Sequence, residues 1–128
     1  MLEVVRKGNK EYATEVPYST SERRIGTWID GKPLYRRIYQ FDLPQCVTSG
    51  TPVVESHTIS NAEFSFIEFG YIYADFINAP IPYITRQNPS QNISCDLTTP
   101  NTLRIWNSFK DWNSAKAFVS VLYTKTTD

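Results

Sequence analysis

The residues best suited to chemistry in this sequence are one histidine and a scattered set of carboxylates. His57 lies in the segment VVESHTIS, and Glu55 would share its strand face because side chains alternate along a strand. These two groups are too few for a zinc site, which needs three or four ligands. A single histidine on a strand is typical of a hydrogen-bonded structural residue. We therefore expect no bound metal at this position.

The sequence lacks the motifs that identify common enzyme classes. It contains no G-x-S-x-G elbow, no Gly-rich phosphate loop, no H-E-x-x-H pair and no D-x-D-x-D calcium loop. Paired carboxylates for glycoside hydrolysis meet only in the fold, so a small polysaccharide hydrolase stays as an alternative. We predict that the protein is not an enzyme and uses no cofactor.

Aromatic residues make up 14% of the chain, and some of them occupy positions suited to binding. In the segment TLRIW, Arg104 and Trp106 would share one strand face, where they can stack a sugar ring or seal a subunit contact. The alternative is that Trp106 packs beneath a loop. Other aromatic and basic residues fall in predicted loops or at strand ends, where binding residues are common. The candidate glycan-binding residues are Trp106, Arg104, Trp112, Tyr83 and Arg86.

Strand-forming residues dominate the composition, so we predict an all-β fold. Val, Ile, Thr and the aromatic residues number 50, against 13 for Ala, Leu and Met together. Eight prolines exclude long helices from most of the chain. The recurring turn signals are typical of a sandwich. The predicted architecture is an antiparallel, jelly-roll-like β-sandwich over residues 19–128, preceded by an N-terminal arm or linker over residues 1–18.

The predicted strands follow the apolar alternation and the turns between them. Asp30-Gly31-Lys32-Pro33 supplies turn chemistry for a β-hairpin over residues 25–41. Further strands are predicted at 53–59, 64–76, 81–85, 93–98, 102–108 and 117–125.

Two segments have helical features. Residues 109–122 include apolar positions near helical spacing, but Asn113 and Ser114 interrupt them, so we favour a loop followed by a strand. Ser19 and Glu22 have the spacing of a capping box, which predicts one helical turn at most.

Two of the predicted strands have no plainly buried face. Tyr35 and Tyr39 share a face with Arg37, and residues 64–76 carry apolar side chains in both registers. A sandwich covers only the inner face, so the other face needs a partner chain, the N-terminal arm or exposed tyrosines. The candidate oligomer-interface residues are Tyr35, Tyr39, Phe69, Tyr71 and Tyr73.

The formal charge sums to zero but is unevenly distributed. Residues 1–40 carry +3, residues 41–103 carry −5 and residues 104–128 carry +2. The terminal blocks can pair with the middle of the same chain or dock on another chain. A zero net charge argues against nucleic-acid binding, and the apolar runs are far shorter than the roughly 20 residues of a membrane span. We also expect Cys46 and Cys95 to be reduced thiols.

Two segments resemble phage tail-fibre, baseplate and minor structural proteins. YSTSERRIGTWIDGKPLYRRIY is similar to a segment that opens their C-terminal region, and FKDWNSAKAFVSVLYTKTTD is similar to their terminal strand. The segment from His57 to Asn61 resembles their "HGI.N" element, with Thr58 in place of the usual Gly. In outline, the resemblance covers residues 18–128.

The resemblance implies a β-rich distal domain that forms a homotrimer in the virion tail or baseplate. It further implies synthesis in the bacterial host cytoplasm, other virion tail proteins as partners, and contact with host surface polysaccharide. Family members usually carry long upstream shaft regions, whereas about eighteen residues precede the motif here. The leading alternative is a monomeric carbohydrate-binding module that uses Trp106, Trp112 and Tyr83 as stacking platforms.

Overall fold

The computed structural model describes the backbone of residues 4–7 and 10–13, and residues 18–74, 78–84, 90–99 and 101–127 in full. This part of the chain is built of strands joined by turns, with one 3₁₀ turn at Lys110–Trp112. No helix in the described residues is long and apolar enough to cross a membrane. The strands are β1 (Val4–Lys7), β2 (Lys10–Ala13), β3 (Arg23–Thr27), β4 (Pro33–Asp42), β5 (Val53–Thr58), β6 (Ala62–Tyr73), β7 (Asn78–Pro80), β8 (Tyr83–Ile84), β9 (Asn92–Thr98), β10 (Thr102–Asn107) and β11 (Lys116–Lys125).

The protein is an all-β sandwich of two antiparallel sheets, as the sequence predicts. One sheet has five strands in the order β3-β4-β11-β6-β7, and the other has four in the order β5-β10-β9-β8. Strands β1 and β2 pair with each other as a separate two-stranded sheet. Both sheets of the sandwich thus lie within residues 23–125.

Strand β11 is the centre of the five-stranded sheet, between β4 and β6. Its inward side chains Val119 and Val121 are fully buried, and its outward Ser120 is fully buried as well. A central strand that is covered on both faces favours β-branched and small residues, which this segment supplies. The prediction of a loop followed by a strand over residues 109–125 is confirmed.

The inner faces of both sheets meet in a continuous apolar core. Ile72 of β6 packs with Ile93 and Ile105 of the opposite sheet, and Trp112 of the 3₁₀ turn completes this group. A neighbouring group centres on Tyr39, Leu103, Val119 and Tyr123. Side chains of both sheets contribute to each group, so burial of this core holds the two layers together.

The capping box that the spacing of Ser19 and Glu22 suggests does not form, and residues 19–22 are not helical. The Ser19 hydroxyl accepts the amide of Ser21 at 3.0 Å, which is a local turn bond. Glu22 does not reach back toward Ser19, because its carboxylate accepts the Tyr123 hydroxyl at 2.5 Å and also pairs with Lys125. Burial, first of all, and the Glu22 hydrogen bond raise the pKa of Tyr123. A tertiary contact replaces the capping box.

Both cysteines are free thiols, and residues of the charge blocks form ion pairs within the chain. Cys46 and Cys95 are unpaired, and burial raises the pKa of the Cys95 thiol to about 11. Four basic residues of the terminal blocks pair with acidic residues of the middle block in the same chain, in line with the first of the two explanations above. These pairs are Lys32 with Glu63, Arg36 with Glu68, Arg104 with Asp96, and Lys116 with Asp42.

Two isoleucines provide a matched test of the core. Ile105 is fully buried, whereas Ile29 is 91% exposed. We expect Ile105→Ala to lower the free energy of unfolding by about 2–5 kcal/mol, because it removes apolar contacts and leaves a cavity. Ile29→Ala should change it by less than about 0.5 kcal/mol. Urea unfolding followed by tryptophan fluorescence measures both, and similar losses in the two variants would contradict this account of the core.

Candidate functional site

Strand β6 carries a β-bulge at Glu68. Phe69 lies opposite Ser120 of β11 and Ile67 lies opposite Val121, so Glu68 is an extra residue between them. One extra residue shifts the alternation of side chains along a strand by one position. Aromatic side chains on both sides of the bulge therefore reach the same outer face. They are Phe64, Phe66, Phe69, Tyr71 and Tyr73.

The carboxylate of Glu68 is fixed by two neighbouring strands. Arg36 of β4 donates from Nε to Oε1 at 3.0 Å and from Nη2 to Oε2 at 2.8 Å, and the Ser120 hydroxyl donates to Oε1 at 2.8 Å. These hydrogen bonds, that of Arg36 above all, hold the pKa of Glu68 below its usual value. The same pair raises the pKa of Arg36. A two-bond carboxylate–guanidinium pair is directional, so it orients the bulge.

Tyr18 and Trp28, on either side of β3, place their rings on this outer face. The ring of Tyr18 meets Phe69 edge to face at 5.6 Å, and the Arg36 guanidinium lies 4.5 Å from the Tyr18 ring centre. At the other end, Trp28 contacts Phe64 at 5.3 Å and Phe66 at 5.5 Å between ring centres. Both Tyr18 and Trp28 belong to the segment that resembles tail proteins.

The aromatic face, defined here as Tyr18, Phe64, Phe69, Tyr71 and Tyr73, stays partly open to solvent. Tyr73 is 51% exposed and Tyr71 is 38% exposed, although Tyr71 stacks on Phe118 at 5.0 Å. A groove of about 330 Å³ runs through the face. It is lined by Tyr18, Ser19, Thr20, Ile38, Gln40, Phe69, Tyr71 and Phe118. Such a large apolar surface is typical of an interaction site.

The structure divides the predicted interface residues between the two faces of the sheet. Phe69, Tyr71 and Tyr73 lie together on the aromatic face. Tyr39 is only 7% exposed and belongs to the core, and burial raises its pKa. Tyr35 packs against the same core and stacks on Tyr123 at 5.9 Å. The assignment of Tyr39 to a subunit contact is therefore corrected, because Tyr39 faces inward, whereas Tyr35 is partly exposed and stays a candidate.

A second candidate site lies on the outer face of the four-stranded sheet, around Trp106. Arg104 donates to both carboxylate oxygens of its cross-strand neighbour Asp96, at 2.8 and 2.7 Å. The same guanidinium lies 5.0 Å from the Trp106 ring centre. Hydrogen bonds from Arg104, and to a lesser extent from Trp106, lower the pKa of Asp96. Indole, guanidinium and carboxylate thus form one hydrogen-bonded group.

Beside this group lies a groove of about 410 Å³, called here the Trp106 groove. Its end is held by Ser108, whose hydroxyl donates to the Ser90 carbonyl at 2.7 Å and accepts the Asn92 amide at 2.9 Å. Gly50 has a φ of +92° and donates its amide to the Ser108 carbonyl at 2.7 Å. The lining residues are Gly50, Pro52, Ser90, Asn92, Ser94, Asp96, Trp106 and Ser108.

Of the predicted glycan-binding residues, Trp106 lines this groove, and Arg104 adjoins it through its bonds to Asp96. Trp112 is 1% exposed, and Tyr83 packs edge to face against it at 5.0 Å, so both serve the core. Their assignment to a binding surface is corrected, since the 3₁₀ turn directs Trp112 inward. Arg86 lies outside the described residues. Asp96 was not predicted as a site residue from the sequence. It and Arg104 lie equally far from the turn that joins β9 and β10, so they are opposite each other in the hairpin.

His57 and Glu55 share a strand face, as predicted. The His57 Nε2 atom lies 3.9 Å from a Glu55 carboxylate oxygen, and the His57 ring stacks on Phe41 at 4.4 Å. Over the described ranges, His, Cys, Asp and Glu form no group of three that could hold a metal ion. A cleft of about 550 Å³ adjoins His57, but charged groups that line it bond within the chain. Lys116 pairs with Asp42, and Arg37 donates to the Thr20 carbonyl.

Comparison with known proteins gives no relative: no family model, no curated protein and no solved structure matches the chain. A functional proposal must therefore be argued from the two outer faces of the sandwich and from the segments that resemble tail proteins.

Glu68→Gln tests the role of the bulge carboxylate. Its lowered folded-state pKa means that the stabilisation is fully present above the ordinary pKa of Glu and is lost as the pH falls through the folded value. We expect the variant to lose about 1 kcal/mol of unfolding free energy near pH 7, and less below about pH 4. Urea unfolding over this pH range measures the difference.

Glu63→Gln is the matched control, because Glu63 lies on the same strand in a more exposed ion pair with Lys32. We expect a smaller loss from it near pH 7. A loss at Glu68 that does not change with pH, or one no larger than that at Glu63, would contradict the role given to the bulge carboxylate.

Proposed function

We propose that this chain is a structural domain of a phage tail fibre or baseplate that associates as a homotrimer and contacts glycan on the host surface. It acts by assembly and binding, without catalysis. The observation that carries this proposal is the aromatic face, an apolar surface that the described residues of one chain leave partly uncovered.

The positions of the tail-protein-like segments support the proposal. The first segment forms β3 and β4 and brings Tyr18 and Trp28 onto the outer face, and the second ends in β11. These strands are neighbours in one sheet. The tail-protein-like segments thus contribute Tyr18, Trp28 and Phe118 beside the rings that β6 supplies to this surface.

The chemistry of the aromatic face favours further copies of the chain as partners. Its exposed groups are Phe and Tyr rings, and the charged pairs beside them, Arg36 with Glu68 and Lys116 with Asp42, bond within the chain. Subunit contacts in homo-oligomers are more apolar than other interfaces and are rich in aromatic residues. Covering these rings would remove apolar area from water without leaving a charge unpaired.

The Trp106 groove favours one alternative, a monomeric carbohydrate-binding module. A tryptophan beside a carboxylate and a guanidinium can bind sugar in a single chain as well as in a trimer. The two functions differ in the state of the aromatic face, which the alternative leaves open to solvent. The place in the virion and the association with other tail proteins rest on the resemblance.

Light scattering coupled to size exclusion tests the assembly. We expect a mass near three times 14.7 kDa for the purified chain. The double variant Tyr71→Glu/Tyr73→Glu should shift the mass toward one chain, because two carboxylates would be buried in the contact. The control Val54→Glu/Ile84→Glu alters two exposed apolar residues of the other sheet and should keep the trimer. A single-chain mass for the unmodified protein at every concentration would overturn the assembly and favour the monomeric module.

A further inference from the structure

We infer that the Trp106 groove binds a neutral pyranose sugar, with the apolar face of the ring on the Trp106 indole and vicinal hydroxyls on Asp96 and Arg104. This inference rests on the proposed glycan contact, and it adds the location of that contact and the class of sugar. The location is the outer face of the four-stranded sheet.

The sheet register places short side chains beside the partly exposed Trp106 indole. Its direct cross-strand neighbours are Ser94 on β9 and Val54 on β5, both shorter than an indole. The large ring therefore stands beside small side chains, and the groove opens next to it. The carbon-bound hydrogens of a pyranose pack against such an aromatic surface, which excludes water from both.

The polar groups beside Trp106 have the hydrogen-bonding capacity that a diol needs. Arg104 has five N–H donors, of which Asp96 uses two, on Nε and Nη2. The Asp96 carboxylate has about four acceptor positions and accepts from Arg104 and Trp106. A donor and an acceptor are thus adjacent, and neighbouring sugar hydroxyls can accept from one and donate to the other.

The surrounding charge favours a neutral sugar over an acidic one. A carboxylate on the ligand would approach Asp96, whose partner Arg104 is already engaged. The Arg104–Asp96 pair is neutral as a unit, so it offers an anionic ligand no net attraction.

The groove is built before any ligand arrives. Ser108 ties the residue 90–92 segment to the end of β10, and Gly50 adds the loop before β5. A site whose walls are already bonded loses little conformational entropy on binding. It also lies on the sheet opposite the aromatic face, so sugar binding and trimer assembly do not compete for the same surface.

A titration followed by amide and indole NMR signals tests the inference. The probes are methyl β-glucopyranoside, methyl β-galactopyranoside and methyl α-mannopyranoside, with methyl β-glucuronide as the acidic comparison. We expect at least one neutral probe to shift the Trp106 indole signal and the amides of Ser94 and Asp96. Trp106→Ala should weaken its binding about tenfold or more.

Three further variants distinguish loss of binding at the Trp106 groove from changes elsewhere in the protein or in its folding. Arg104→Lys keeps the charge but loses the two-bond geometry, so it should also weaken binding. Trp28→Ala removes an indole from the opposite outer face and should leave binding unchanged. Trp106→Phe keeps an aromatic surface and should retain part of the affinity, which guards against a folding defect in the alanine variant.

Each outcome of the sugar titration and of light scattering bears on either the sugar site or the assembly. If no neutral probe shifts the Trp106 signal, or if the glucuronide binds as tightly as the neutral sugars, the inference is overturned, whatever mass light scattering gives. If neutral sugars bind through Trp106 while the mass is that of one chain, the sugar site stands and the assembly fails. Weakening by Trp28→Ala equal to that by Trp106→Ala would also overturn the assignment.

Discussion

Glu68 occupies the extra position in β6, and its carboxylate is held by Arg36 and Ser120. If Glu68 were an ordinary paired residue of the strand, strict alternation would place the aromatics before and after it on opposite faces of the sheet. The bulge instead places all of them on the outside, while Ile67 and Ile72 face the core. The bulge, which one ion pair holds, thus keeps the large rings of β6 on the outer face and its isoleucines on the inner face. The surface proposed for assembly depends on this register.

The two outer faces of the sandwich differ in chemistry because different strands supply their outward side chains. On the five-stranded sheet, β6 contributes large rings, and Tyr18 and Trp28 add to them. On the four-stranded sheet, β9 and β10 contribute short polar side chains around one indole and one ion pair. The first surface suits contact with another apolar surface, and the second suits a small polar ligand. Because one layer of core separates the two surfaces, the same small domain can carry an assembly surface and a ligand-binding surface.

Much of the fold could be predicted from the sequence, because strand alternation and turns are local properties. The strands after residue 90 and the β3–β4 hairpin follow directly from such patterns. The bulge could not be predicted, since Glu68 looks like any exposed residue until Arg36 and Ser120 are placed beside it. Glu22 formed a tertiary bond to Tyr123 in place of a cap, and Trp112 entered the core. At the candidate sites, Trp106 and Arg104 were predicted, while Asp96 required the register of the β9–β10 pair.

The central claim is that other copies of the chain cover the aromatic face, and hydroxyl-radical labelling read by mass spectrometry tests it most directly. Tyr71 and Tyr73 report on this face, while Val54 and Ile84 are exposed apolar residues of the opposite sheet. As the protein concentration rises, labelling of the two tyrosines should fall, and labelling of the two aliphatic residues should stay constant. Equal labelling of Tyr71 and Tyr73 at all concentrations, in a sample whose mass is that of one chain, would contradict the account.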